Sequence, residues 1–236
     1  MFKKALIIAL ALMMLLCGCA KKDEIKLGGY LSENGYWYLD FDEPVVEQKT
    51  EIKVTLSDGT EGTSYMRRPI VNVDNEGANA VSKSIKDYLD DKYAKYFKKP
   101  DDRIVKIDYE TSENNDILTV ILTEEITTAE KTVEYVTCYH YDDLAATELN
   151  MLEYSNTNGA QLSTVYEAVL ESDWAKEYEE KTGTPPYEDS MLGLVCHGEL
   201  MFDVYCVDAD GENVVKLELQ VEDVPLEIPD LEQYYG

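Results

Sequence analysis

The sequence predicts an α+β fold: an antiparallel sheet covered by one long amphipathic helix, with a second short helix and a C-terminal hairpin. Three observations predict it. Val81, Ile85, Tyr88, Leu89, Tyr93 and Tyr96 recur at three- and four-residue steps, with Lys83, Lys86, Asp87, Asp90, Asp91 and Lys95 on the opposite side. Such a stripe is a helix that covers a sheet. Residues 104–109, 117–127 and 132–142 read as strands joined by short turns, which implies antiparallel neighbours. Residues 200–206 and 215–221 each keep their apolar side chains on one face, around the turn Asp208-Ala209-Asp210-Gly211.

In chain order, Lys3 and Lys4 precede an apolar run over residues 5–16 and a small-residue zone, Cys17-Gly18-Cys19-Ala20. These are the three parts of a secretory signal. Twelve apolar residues fall short of the roughly 20 needed to cross a bilayer. The ending Leu16-Cys17-Gly18-Cys19 resembles the lipobox of bacterial lipoproteins. That resemblance implies removal of residues 1–18 and acylation of Cys19, which would hold the protein on the extracytoplasmic face of a cell membrane; the alternative is an ordinary secretory signal. Residues 19–28 form a charged tether.

An N-terminal α+β half follows over residues 29–142. It opens with a hairpin at residues 28–44, turning at Glu33-Asn34-Gly35. Alternation puts Trp37, Leu39 and Phe41 on the core face and Tyr36, Tyr38 and Asp40 on the other, a candidate binding surface or a plain solvated strand face. Strands at 51–56 and 63–71 flank the turn Ser57-Asp58-Gly59-Thr60. The long helix begins at Asp74 or Asn75 and ends near Phe97, before Pro100. In the strand at 117–127 both faces are apolar, as in a central strand covered on two sides.

The C-terminal half, residues 143–236, carries a further strand at 148–154 and a short helix capped at Ser163 or Thr164. Glu167 completes a Thr164-x-x-Glu capping box there. A charged helix at 173–181 stops at Gly183 before Pro185-Pro186, the hairpin follows, and an acidic tail runs from Pro225.

Composition narrows the function classes. The net charge is −27, and loss of Lys3 and Lys4 with the leader makes it −29. Such a surface repels nucleic acid and anionic headgroups and attracts a cationic protein; the plainer reading is that acidity keeps an exported protein soluble. After Cys17 and Cys19, the cysteines Cys138, Cys196 and Cys206 remain, and three disulfide pairings or three free thiols are open.

No strong catalytic pattern emerges. Asp208-x-Asp210-Gly211 imitates part of a calcium loop, but Cys206 stands at position one and Leu217 at position twelve, neither an oxygen ligand. His140 shares a strand face with Cys138, and His197 follows Cys196; neither has an evident third group. The expectation is a chain without metal, cofactor or enzymatic activity.

The run Tyr65-Met66-Arg67-Arg68-Pro69-Ile70-Val71 and the helix at 78–97 are similar to one half of a two-part extracytoplasmic module. Residues 139–142, the run Gly159-Ala160-Gln161-Leu162-Ser163-Thr164-Val165-Tyr166 and the hairpin at 200–221 are similar to its other half. Together they resemble the module of lysozyme-sensing anti-sigma factors and of the non-catalytic region of peptidoglycan deacetylases. The resemblance covers roughly residues 50–222 and lacks the Gly-Ala-His segment often found in the second half. It implies binding and not catalysis: a non-enzymatic binding or sensing module for a cationic protein such as lysozyme. The alternatives are a structural or envelope-assembly lipoprotein and a hydrolase using His140 or His197.

Overall fold

The computed structural model describes residues 29–31, 37–39 and 44–221. The leader, Cys19, the tether, Tyr36, Asp40 and the tail from Pro225 lie outside the described residues. Beside a two-stranded ribbon, the described residues form two sheets and four α-helices, which corrects the expectation of a single antiparallel sheet under one long helix. β1 (Gly29–Leu31) pairs with β2 (Trp37–Leu39) as a separate ribbon. The larger sheet has six strands in the order β3-β4-β5-β6-β7-β8. They are β3 (Val45–Thr55), β4 (Glu61–Val71), β5 (Ile104–Asn114), β6 (Ile117–Thr127), β7 (Thr132–Asp142) and β8 (Thr147–Leu149). The smaller sheet, β9 (Met191–Gly198), β10 (Met201–Val207) and β11 (Val214–Gln220), has β10 in the middle.

The larger sheet is not wholly antiparallel. β4 and β5 run parallel, with Tyr65 opposite Lys106 and Met66 opposite Ile107. The reason is α1 (Glu76–Tyr93), which carries the chain back along the sheet before β5 begins. Asn75 caps it, accepting from the Ala78 N–H at 2.9 Å. Ala78, Val81, Ile85, Leu89 and Tyr93 form its buried stripe. Gly77 lets the first turn press against the β7–β8 link, where a Cβ would stand 2.3 Å from the Ala146 carbonyl.

β6 explains the layering. Leu118, Val120 and Leu122 pack with α1 and with Val105 and Ile107 of β5, while Ile121 meets Val136 and Val195 on the opposite side. A strand buried on both faces reads as a continuous apolar run. The smaller sheet covers that second face. Its own outer face carries Leu194, Cys196, Phe202, Val204 and Cys206, packed against Tyr154, Val165 and Val169. Those three belong to α2 (Met151–Thr157) and α3 (Leu162–Glu171). The order through the body is α1, larger sheet, smaller sheet, then helices.

Three local expectations are corrected. The strand expected at 148–154 stops at Leu149, because Asn150 and Glu153 form a reciprocal capping box and start α2. α3 begins at Leu162, so Thr164 lies inside its first turn and caps nothing. β9 was not anticipated, and it turns the closing hairpin into a three-stranded sheet. α4 (Asp173–Thr182) is capped by Ser172 and ends at Gly183, whose φ of +78° is the left-handed conformation that glycine takes freely.

Candidate functional site

Among the described residues the predicted strand face reaches only Tyr38, in β2 opposite Tyr30. The other chemistry-bearing residues fall into four places.

The first is a buried carboxylate that sequence reasoning missed. Glu124 continues the inward face of β6 beyond Leu122 and is 1% exposed. Tyr88 and Tyr93 of α1 both donate to it, and Lys92 lies 2.9 Å away. Lys92 also donates to Tyr88 Oη at 2.9 Å and sits 4.6 Å from the centre of the Tyr135 ring. Burial first, then the Glu124 hydrogen bond, push both phenols above their ordinary pKa. A buried charge with three partners clamps α1 to β6. Its signal was available: an acid on an alternation face that is otherwise apolar, facing a helix with Tyr88 and Lys92 four residues apart.

The second place contains the histidine and cysteine of β7. His140 is buried, bonded through Nδ1 to Thr119 Oγ1 at 3.0 Å and stacked on Tyr154 at 3.7 Å. Burial lowers its pKa to about 3. Cys138 faces Gly193 of β9, and burial pushes its thiol up to about 12. A base that weak beside a thiol that holds its proton is not an activated pair. Cys138, Cys196 and Cys206 are not joined to one another.

The third is an Asp–His–Lys trio on the smaller sheet. Asp203 lies 2.6 Å from His197 Nε2 and 2.9 Å from Lys216 Nζ, with its side chain 9% exposed. The lysine and the imidazole satisfy a carboxylate that is otherwise nearly dry. No hydroxyl or thiol is hydrogen-bonded to His197 among the described residues, so the trio has a base and no nucleophile.

The fourth is surface. Between residues 167 and 189 stand eight exposed carboxylates against Lys176 and Lys181. Trp174 and Tyr178 pack 5.4 Å apart on α4, and Tyr187 is 65% exposed. Tyr166 Oη donates to the Pro186 carbonyl at 2.7 Å and fixes the segment that presents Tyr187. Elsewhere, a cleft of about 230 Å³ opens beside β5 and β7, lined by Tyr65, Lys106, Asp108, Glu125, Glu134 and Tyr135. Lys106 is held by Glu125 at 2.6 Å, and Asp108 by Arg67 at 2.5 Å. A shallower groove of about 790 Å³ along α1 is lined by Asp87, Tyr88, Asp90, Asp91 and Lys92.

No group of three or more His, Cys, Asp or Glu placed to hold a metal occurs among the described residues, and no helix there is long and apolar enough to cross a membrane. No protein-family model matches the chain, and no curated protein matches it in sequence. Among solved structures, a DUF3298 family protein from Pseudomonas aeruginosa is similar over 77% of this chain and 92% of that one, at 7% identity and a TM-score of 0.46. A likeness that weak carries no argument about fold or function.

Proposed function

We propose that this protein is a lipid-anchored, extracytoplasmic binding or sensing module, without enzymatic activity, for a cationic protein such as lysozyme. The observation that carries the reading is charge. The whole chain stands at −27, and its acids collect on α3, α4 and the loop after them beside Trp174, Tyr178 and Tyr187. A field of one sign steers a basic partner, and rigid aromatic side chains in an acidic rim supply anchors at low entropic cost. The sequence resemblance to lysozyme-sensing modules supports the same partner. Cys19 supplies the anchor in this reading, since two acyl chains hold a membrane durably where one is marginal.

Acidity alone attracts any basic protein, so the experiment separates steering from docking. The full chain is titrated with lysozyme and with a basic protein of matched size and charge, at low salt and near 0.5 M. At the higher salt the Debye length is only about 4–5 Å and long-range attraction is screened. The expected result is binding that persists for lysozyme alone; loss of both together defeats the proposal. For the anchor, Cys19→Ala is expected to release the protein to the medium or leave it unprocessed. A variant still cleaved at the same bond and still membrane-bound rules the lipid out.

A further inference from the structure

We propose that two copies of this chain associate edge to edge through β3, joining their six-stranded sheets into one. β3 ends the strand order of the larger sheet and pairs only with β4, so along eleven residues its outer backbone groups meet no strand among the described residues. Such an edge is a template for another strand. The occupant is identified by the sequence of β3 itself, Val-Val-Glu-Gln-Lys-Thr-Glu-Ile-Lys-Val-Thr.

Glu47, Lys49, Glu51 and Lys53 alternate along one face, all exposed. Antiparallel pairing about Thr50 places Glu47 opposite Lys53 of the second copy, and Lys49 opposite Glu51. Every charge on that face then meets its opposite, twice over by symmetry. On the other face Val46 meets Val54, Gln48 meets Ile52, and Thr50 meets Thr50. No residue of the strand overhangs. An isologous two-fold contact requires this self-complementarity.

The same pattern rejects the neighbouring registers. A slip of two residues sets Lys49 against Lys49 and Glu47 against Glu51, or Glu51 against Glu51 and Lys49 against Lys53. Like charges directly opposite destabilise a strand pair. A slip of one residue throws the apolar and charged faces against each other. In the single chain these charges are incompletely used. Lys49 reaches its own strand's Glu51 at 2.9 Å, both about half exposed, and Glu47 bonds Arg67 at 2.6 Å. Lys53 has no ion partner among the described residues. In the dimer Lys53 gains Glu47. The two-fold axis stands perpendicular to the joined sheet, so both copies keep α1 on the same side.

Two experiments on the full chain in mild detergent test this. In the first, sedimentation velocity follows Lys49→Glu/Lys53→Glu and Glu47→Lys/Glu51→Lys, separately and mixed. Each alone places like charges opposite and is expected to be monomeric; the mixture is expected to form a heterodimer. A monomeric wild type, or variants that self-associate as the wild type does, overturns the proposal. In the second, Thr50→Cys is expected to form a disulfide dimer under mild oxidant, because facing residues lie about 4.5–5.5 Å apart at Cα. Gln48→Cys is the control: its two copies would be about 13 Å apart along the strand and are expected not to link. Failure of Thr50→Cys to link, or equal linking of both variants, also overturns the register.

Discussion

His140 is neutral in the folded protein throughout the range from neutral to mildly acid pH, because burial holds its pKa at about 3. The unfolded chain accepts a proton below about pH 6.5, and the native state declines it. Stability present above pH 6.5 is therefore lost as pH falls toward 3. The slope is at most about 1.4 kcal/mol per pH unit and half that at pH 6.5, so less than about 2 kcal/mol disappears between pH 6.5 and 5. Denaturant unfolding at those two values checks it. His140→Phe keeps a ring against Tyr154 but removes the Thr119–Nδ1 hydrogen bond, so its whole curve is expected to sit lower and to lack that slope. An unchanged slope in the variant would assign the effect to other groups. The position of His140 on one strand face with Cys138 was legible in the sequence. Its stacking on Tyr154 was not, because that contact joins β7 to a helix the alternation had read as strand. Glu124 was missed for another reason: its mark, an acid in line with Leu118, Val120 and Leu122, reads as burial only once Tyr88 and Tyr93 are placed opposite.

Gly193 decides how closely the two sheets approach. A Cβ there would stand 2.5 Å from Cys138 Sγ and 3.0 Å from its Cβ, between two facing sheets where little can yield. Gly193→Ala is expected to destabilise the protein by about 1–3 kcal/mol, the range for overpacking a filled core. Cys138→Ala removes the sulfur that clashes, so the double variant is expected to recover part of that loss. A double-mutant cycle in urea checks the coupling, and simple additivity would show that the sheets separate instead. At this scale the legible elements were those with a single clean period, such as the apolar stripe of α1 and the one-faced alternation of β10 and β11. β9 escaped because Leu194-Val195-Cys196 is buried on both faces and shows no alternation. The start of α2 carried a signal, Asn150 followed three residues on by Glu153, but a helix of 7 residues is too short to show a helical period beside it.

Across the whole molecule, charge repulsion is expected to outweigh charge pairing. The net charge of −27 opposes compaction. Pairs such as Lys83–Asp87 and Lys176–Asp173 are well exposed, and such pairs contribute little. Raising sodium chloride from about 0.02 to 0.5 M is therefore expected to raise the Tm, since screening relieves repulsion more than it weakens the pairs. A fall in Tm would mean that the ion pairs dominate. The layered architecture was only half legible: β6 announced that both its faces are covered, but nothing in its residues says that one cover is a helix and the other a sheet. The parallel ladder between β4 and β5 has a consequence of another kind. It joins only two residue pairs, whereas β3–β4, β5–β6 and β6–β7 are each paired over eleven. The larger sheet is thus two locally closed ribbons meeting at a narrow seam. Each ribbon zips from its own turn with little loop-closure cost, while the seam waits for α1 to fold between them. Amide hydrogen exchange is expected to show the two sides of that seam opening as separate units, and one shared exchange class across it would show that the common core binds them into one.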